Sequence, residues 1–266
     1  MKIKFRTNIL LITTWVTFCF FILLNLTSIF IYFSLARYVR RINPNILGLL
    51  DTLNYFVIGM LIYLAYKFYP DSKLLFKKVS SIGILKVILI AILFSLSIDP
   101  LLNINILLGF SDYPAILGSS DNYLTLINVI NYLILIPIIE EIVFRNFILR
   151  KLFETKGALF SVIYSTFLFS LVHINFLNFD SALYFGSILS GLLFGIIYIE
   201  YGLYGSIISH VIINFLWLFL ANFNNLYWDT IKTLNFGIYY WLIILFAIVA
   251  LGVLIKPFND ASDLRE

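Results

Sequence analysis

Long apolar runs, separated by short polar breaks, dominate this chain. The runs fall near residues 8–36, 46–69, 81–98, 122–150, 157–178, 181–199, 203–221 and 236–256. Each approaches or exceeds the ~20 residues that a helix needs to cross a bilayer core. The pattern predicts an all-α fold, a polytopic membrane bundle of about eight transmembrane helices. The first run is longer than the apolar region of a signal peptide and has no small-residue cleavage site after it, so it reads as a retained helix.

The polar residues that interrupt these runs are unevenly placed. Asp51 and Asn54 lie close to the start of the second helix, where interfacial water reaches them. Lys86 sits one turn into the third and can snorkel toward Lys77 and Lys78. Ser187, Gly191 and Gly195 recur at four-residue intervals along the sixth helix, a seam for close helix packing. Gly202 and Gly205 loosen the turn into the seventh helix, and Glu200 is placed at the interface there. The eighth helix reads as scaffold. These positions call for no chemistry.

Residues 131–151 are different. The stretch is apolar enough for a bilayer, yet it carries Glu140, Glu141 and Arg145 at its middle. Each such group costs roughly 2.5 kcal/mol or more at membrane depth unless it is paired or solvated, which marks the segment for function. Glu141 and Arg145 are four residues apart with the acid first, the favourable order for an ion pair on one helix face. Glu140 projects about 100° away around the helix, so it shares that partner poorly. One acid is neutralised and the other is left for chemistry. Pro137, one turn earlier, removes a backbone donor and crowds the carbonyl of Leu133, which predicts a kink beside the two acids.

The sequence has only two histidines. His173 falls in the fifth helix and His210 in the seventh, where Asn214 follows on the same face one turn later. A lone histidine on an apolar helix is most often a packing residue, and a His–Asn pair can simply hold helices together. That reading leaves unexplained why both histidines share a hundred-residue region with the two acids.

Composition and charge support the membrane class. Hydrophobic residues make up 62% of the chain and charged residues 12%, against about 25% charged in soluble domains. Positive charge gathers at Lys2, Lys4 and Arg6, at Lys67, Lys73, Lys77 and Lys78, and at Arg150, Lys151 and Lys156. The loop around 99–121 has Asp99, Asp112 and Asp121 and no Lys or Arg. This alternation predicts that both termini are cytoplasmic, with Arg37, Arg40 and Arg41 running against it. The net charge of +4 fits topology and contact with the lipid bilayer. No basic face suited to nucleic acid is present. The lone Cys19 allows no intrachain disulfide. Heavy use of Ile, Phe, Asn, Tyr and Lys points by composition to an AT-rich bacterial genome, and so to a bacterial cell membrane.

Three motifs now stand in order: Glu140-Glu141-x-x-x-Arg145, Phe169-x-x-x-His173 and His210-x-x-x-Asn214. Together they resemble the CPBP family of intramembrane proteases, the CAAX proteases and bacteriocin-processing enzymes also called Abi proteins. Where that family commonly has a small residue after the motif arginine, this chain has Asn146. The resemblance covers 122–221. It implies a single integral membrane domain over 1–266, with scaffold helices in 1–121, a catalytic core in 122–221, and a C-terminal helix and tail in 222–266. It further implies an intramembrane endopeptidase of the glutamic type built around a water-filled chamber. Glu140 would be the general base, assisted by His173; His210 and Asn214 would form the oxyanion hole; Glu141 and Arg145 would be a structural ion pair. No cofactor is expected. Zinc on Glu140, His173 and His210 is the alternative, although the paired acids are not a His-Glu-x-x-His arrangement and Asn214 is a poor zinc ligand. The implied partner is a membrane-associated peptide or protein substrate, in peptide maturation or in bacteriocin self-immunity. Two other classes stay open. One is a transporter or proton-relay protein, which would more often show an internal repeat and paired broken helices. The other is a catalytically silent immunity or scaffold protein of the same fold.

Overall fold

A computed structural model of the chain describes residues 77–103, 126–174, 181–222 and 237–255, together with Thr14, Phe18, Thr52 and Phe56. All of its regular structure is helical, and no strand occurs among the described residues. Of the predicted runs 8–36 and 46–69, only those four single residues are described, and all four are helical. Asp51, Asn54, Asp112, Asp121, Cys19 and the arginines at 37, 40 and 41 lie outside the described residues. The chain divides into two compact units. One comprises Met1–Leu75 with Ser120–Leu168, the other Phe76–Ser119 with Phe169–Glu266.

In the first unit, helical backbone runs without interruption from Leu126 to Lys156, but its winding changes along the way. An α-helical start, α1 (Leu126–Ile130), passes into a π-helical stretch at Asn131–Leu135. Then come α2 (Ile136–Glu141), a second π-helical stretch at Ile142–Leu149, and α3 (Arg150–Lys156). The first wide stretch directly precedes Pro137. Ile136 N–H reaches back five residues to the Asn131 carbonyl, which is the π-helical spacing. A widened turn of this kind is one way a helix accommodates a proline. The disturbance expected at Pro137 therefore takes the form of an inserted residue in the helix ladder. Every residue from Val143 to Leu149 is buried, so this segment is central to its surroundings on all sides. Thr52 donates to Asn131 Oδ1 at 3.0 Å, tying the second predicted run to the first wide turn. Gly157, at φ +84°, ends α3 and lets the chain turn into α4 (Ala158–Val172). The boundary between the units falls inside α4.

The second unit is built on α5 (Ser81–Leu102), which precedes the other helices of this unit in the sequence. The Ser80 hydroxyl accepts from Gly83 N–H and caps its first turn. The apolar run predicted over 81–98 stops at Asp99 and Pro100, but the helix carries both in its last turn. It can do so because Asp99 has donors on each oxygen: Tyr240 Oη at 2.7 Å and Asn103 Nδ2 at 3.1 Å. Asp99 is thus a helical residue and not the loop acid that the sequence suggested. Tyr240 belongs to α7 (Ile238–Leu254), which packs along α5.

The remaining element, α6, spans Ser181–Asn222 and is broken at Gly202, where φ is +68° and ψ −166°. A straight helix would carry Phe194 and His210 about 24 Å apart along its axis. Their rings instead stack at 4.4 Å. Ser206 Oγ also donates to the Phe194 carbonyl, and Gly186 abuts Trp217 so closely that a Cβ there would meet the indole at 2.8 Å. The chain therefore doubles back at Gly202, with each arm about 30 Å long and matched to a bilayer core. The turn is where the glycines of the sequence placed it. Any side chain at Gly202 would also press on Lys77, whose Nζ donates to the Ile199 carbonyl at the end of the first arm.

Both α5 and the stretch Tyr184–Leu218 are long and apolar enough to cross a membrane. Exposure follows the same logic. Ile82, Leu85, Leu159, Ile163, Ile238, Phe246 and Val253 are exposed, whereas Glu141, Arg145 and His210 are buried. A soluble protein arranges these residue types the other way round. Apolar outside and charged inside defines a membrane protein.

Candidate active site

Glu140 and Glu141 close α2, and Arg145 lies in the wide turn that follows. Arg145 Nε is 3.4 Å from Glu141 Oε2, and both side chains have 0% exposure. A π-helical turn holds more residues than an α-helical one, so a side chain four positions on stands more directly above its partner. The winding and the ion pair suit each other. Glu140, the residue before Glu141, is 5% exposed. Asn146 is buried beside them. Beyond this buried group, Glu154 meets Arg150 at 3.7 Å and Lys151 at 3.6 Å, a half-exposed set that adds little to stability.

The histidines belong to the second unit. The sequence places His173 inside a helix running to 178, but α4 ends at Val172. His173 and Ile174 continue in a tight turn, their N–H groups bonding the carbonyls of Ser170 and Leu171. The His173 side chain caps that end. Its Nδ1 lies 2.8 Å from the Phe169 carbonyl, an orphan acceptor of the last turn. A carbonyl only accepts, so Nδ1 carries the hydrogen. In the neutral ring the lone pair is then on Nε2.

Phe169 holds His173 twice, through that carbonyl and through its ring, whose centroid is 4.4 Å from the imidazole. The same ring meets His210 edge-on at 6.0 Å and Phe194 edge-on at 6.1 Å. Phe194 lies nearly flat on His210, at 4.4 Å and 21°. The two histidines thus share one phenylalanine, and the hairpin of α6 brings the second of them to it. Asn214 follows His210 by one turn on the returning arm and is half-buried. The structure accordingly gathers Glu140, Glu141 and Arg145 in one unit, and His173 and His210 around Phe169 in the other.

A helical membrane protein with buried carboxylates and two aromatic-clad histidines is the class defined so far. Residues 122–216, about a third of the chain, match the family model for the type II CAAX prenyl endopeptidase Rce1-like proteins. Over that stretch the chain is similar to CAAX-type proteases. No curated protein and no solved structure matches the chain.

Two features of this region leave no mark in the sequence. Phe194 is one of 27 phenylalanines in the chain, and nothing in its spacing distinguishes the ring that stacks on a histidine. Thr166, in α4, has a buried hydroxyl with no hydrogen-bond partner among the described residues. A threonine in an apolar helix ordinarily bonds its own backbone, so sequence gave no reason to single it out.

Proposed function

We propose that the chain is an intramembrane endopeptidase that hydrolyses a peptide bond in a membrane-associated peptide or protein. The carrying observation is the family match, which runs from before Glu140 to beyond Asn214. In this reading the bundle has about eight spanning helices and encloses a wet chamber where Glu140, His173, His210 and Asn214 meet. Glu140 takes a proton from water as the water oxygen attacks the scissile carbonyl carbon. The proton passes to the amide nitrogen as the C–N bond breaks. The His173 tautomer supports its part, because a lone pair on Nε2 can accept a proton from the same water. His210 and Asn214 donate to the carbonyl oxygen as it becomes negative, a contribution of roughly 3 kcal/mol per donor in hydrolases. Glu141 and Arg145 keep the helix in register and take no part in proton transfer.

Zinc fits this donor set poorly. A zinc ion on Glu140, His173 and His210 would consume the acid that otherwise serves as base, and Asn214 is no substitute ligand. The reading is therefore metal-free. Its physiological outlet would be maturation of a peptide precursor or self-immunity to a bacteriocin.

The test is cleavage by purified protein in lipid nanodiscs, with membrane-anchored peptides recovered from a deletion strain as substrates. The wild type should release a new N-terminus that Glu140→Gln does not. If the two preparations give identical peptides while the wild type alone supports Glu140-dependent ion flux in proteoliposomes, the chain is a transporter. If neither activity is found, it is a silent member of the fold.

A further inference from the structure

The imidazole of His210 has a torsional freedom that its proposed role cannot tolerate. Rotation about the bond joining ring to side chain is broad and roughly two-fold, so the backbone alone does not fix which ring nitrogen faces a substrate. An oxyanion donor must point at the developing charge before it forms. Something beside the ring must set its plane.

We propose that Phe194 is a positioning residue for His210: its ring, lying flat on the imidazole, sets the orientation in which His210 donates. The geometry is specific. Phe194 covers one face of His210 at 4.4 Å and 21°, while Phe169 abuts it edge-on at 6.0 Å and 77°. A flat neighbour on one face and an upright one beside it leave the imidazole little room to turn. Phe194 is itself held. It is 1% exposed, Phe169 meets it edge-on at 87°, and its backbone carbonyl accepts from Ser206, one turn before His210 on the returning arm. The hairpin at Gly202 thus does more than pass the chain across the membrane: it carries the histidine and the ring that orients it on opposite arms. Through Phe169 the same cluster reaches His173, so the two imidazoles are braced against one another by phenyl rings.

The inference rests on reading His210 as an oxyanion donor, so its test has one arm that needs no cleavage. The protein has only two histidines, and side-chain-labelled histidine in nanodiscs gives two sets of ring signals. His173→Gln is used only to assign them. In the wild type the His210 protons should form a single set moved upfield by the ring beneath them. Phe194→Met keeps apolar bulk without a ring and should move that set downfield and broaden or split it; Phe194→Tyr should restore it. In the cleavage arm, Phe194→Met should lower kcat about tenfold, the upper range for one aromatic stack, with KM little changed. Phe194→Tyr should recover kcat. An unshifted His210 set in the wild type overturns the proposal even if Phe194→Met does not fold. So does a Phe194→Met protein with unaltered His210 signals or wild-type kcat. Absence of cleavage by the wild type removes the proposed function, and the resonances then decide the positioning claim alone.

Discussion

At Glu141 and Arg145 two full charges sit with no exposed side-chain area, and that burial dictates what substitution does. Removing one member of a buried pair strands the other, at a cost of roughly 3–5 kcal/mol. Glu141→Gln should therefore lower the melting temperature and the yield of folded protein. Glu140→Gln keeps the shape and leaves Glu141 with its arginine, so it should fold as the wild type does while losing cleavage. Thermal melts of both proteins, set beside the peptide assay, check the division. A stable Glu141→Gln together with an active Glu140→Gln would reverse it. Thr166 gives the opposite kind of case. Its hydroxyl is buried without a hydrogen-bond partner among the described residues, and a hydroxyl left unsatisfied in that way costs about 1–3 kcal/mol. Thr166→Val removes the hydroxyl and keeps the branched shape, and should leave the melting temperature unchanged or raise it. A clear drop would show that the hydroxyl holds a water molecule or a ligand group.

Among the elements, the hairpin of α6 depends most on a single position. Gly202 is needed for its backbone at φ +68° and ψ −166°, a region that costs other residues about 1–3 kcal/mol, and for its closeness to Lys77, where a Cβ would come within 3.0 Å of the Lys77 Cβ and 3.2 Å of its backbone nitrogen. Gly157 separates the two terms, since it has φ +84° but no atom of the described residues within 4 Å of where a Cβ would sit. Gly157→Ala should carry only the dihedral cost, whereas Gly202→Ala should carry that and the clash. Comparison of the two melting temperatures should place Gly202→Ala lower. Equal losses would mean that the segment leading into α5 gives way. Loss at Gly202 should also displace Phe194 from His210, because the two rings ride on opposite arms. The wide turns around Glu140 act at the same scale: they relieve Pro137 on one side and align Arg145 over Glu141 on the other.

For the whole molecule, the sequence reveals whatever is expensive and hides whatever is cheap. Charges in an apolar run are costly, so Glu140, Glu141 and Arg145 stand out, and two histidines in a chain of this composition do so for the same reason. The reversal at Gly202 was legible because a left-handed residue selects glycine. Phe194 was not, since one more phenylalanine in a lipid-facing chain costs nothing and signals nothing. Asp99 misled because its donors, Tyr240 and Asn103, come from elsewhere in the fold and the next helical turn. The second π-helical stretch has no proline or glycine within it, and only the backbone reveals it. Counting the scarce residues across the chain also yields the last prediction. A zinc site could draw on His173 and His210, the only histidines, while the lone cysteine lies in the first apolar run. Glu141 faces Arg145 at 3.4 Å, which leaves Glu140 as the third ligand and removes it as base. A metal-free hydrolase uses the same residues without that conflict. Purified protein should hold no stoichiometric zinc by elemental analysis and should retain its cleavage rate after thorough chelation. Activity that vanishes with chelator and returns with zinc, but not with magnesium or calcium, would replace the general-base scheme while leaving the fold and the residues in place.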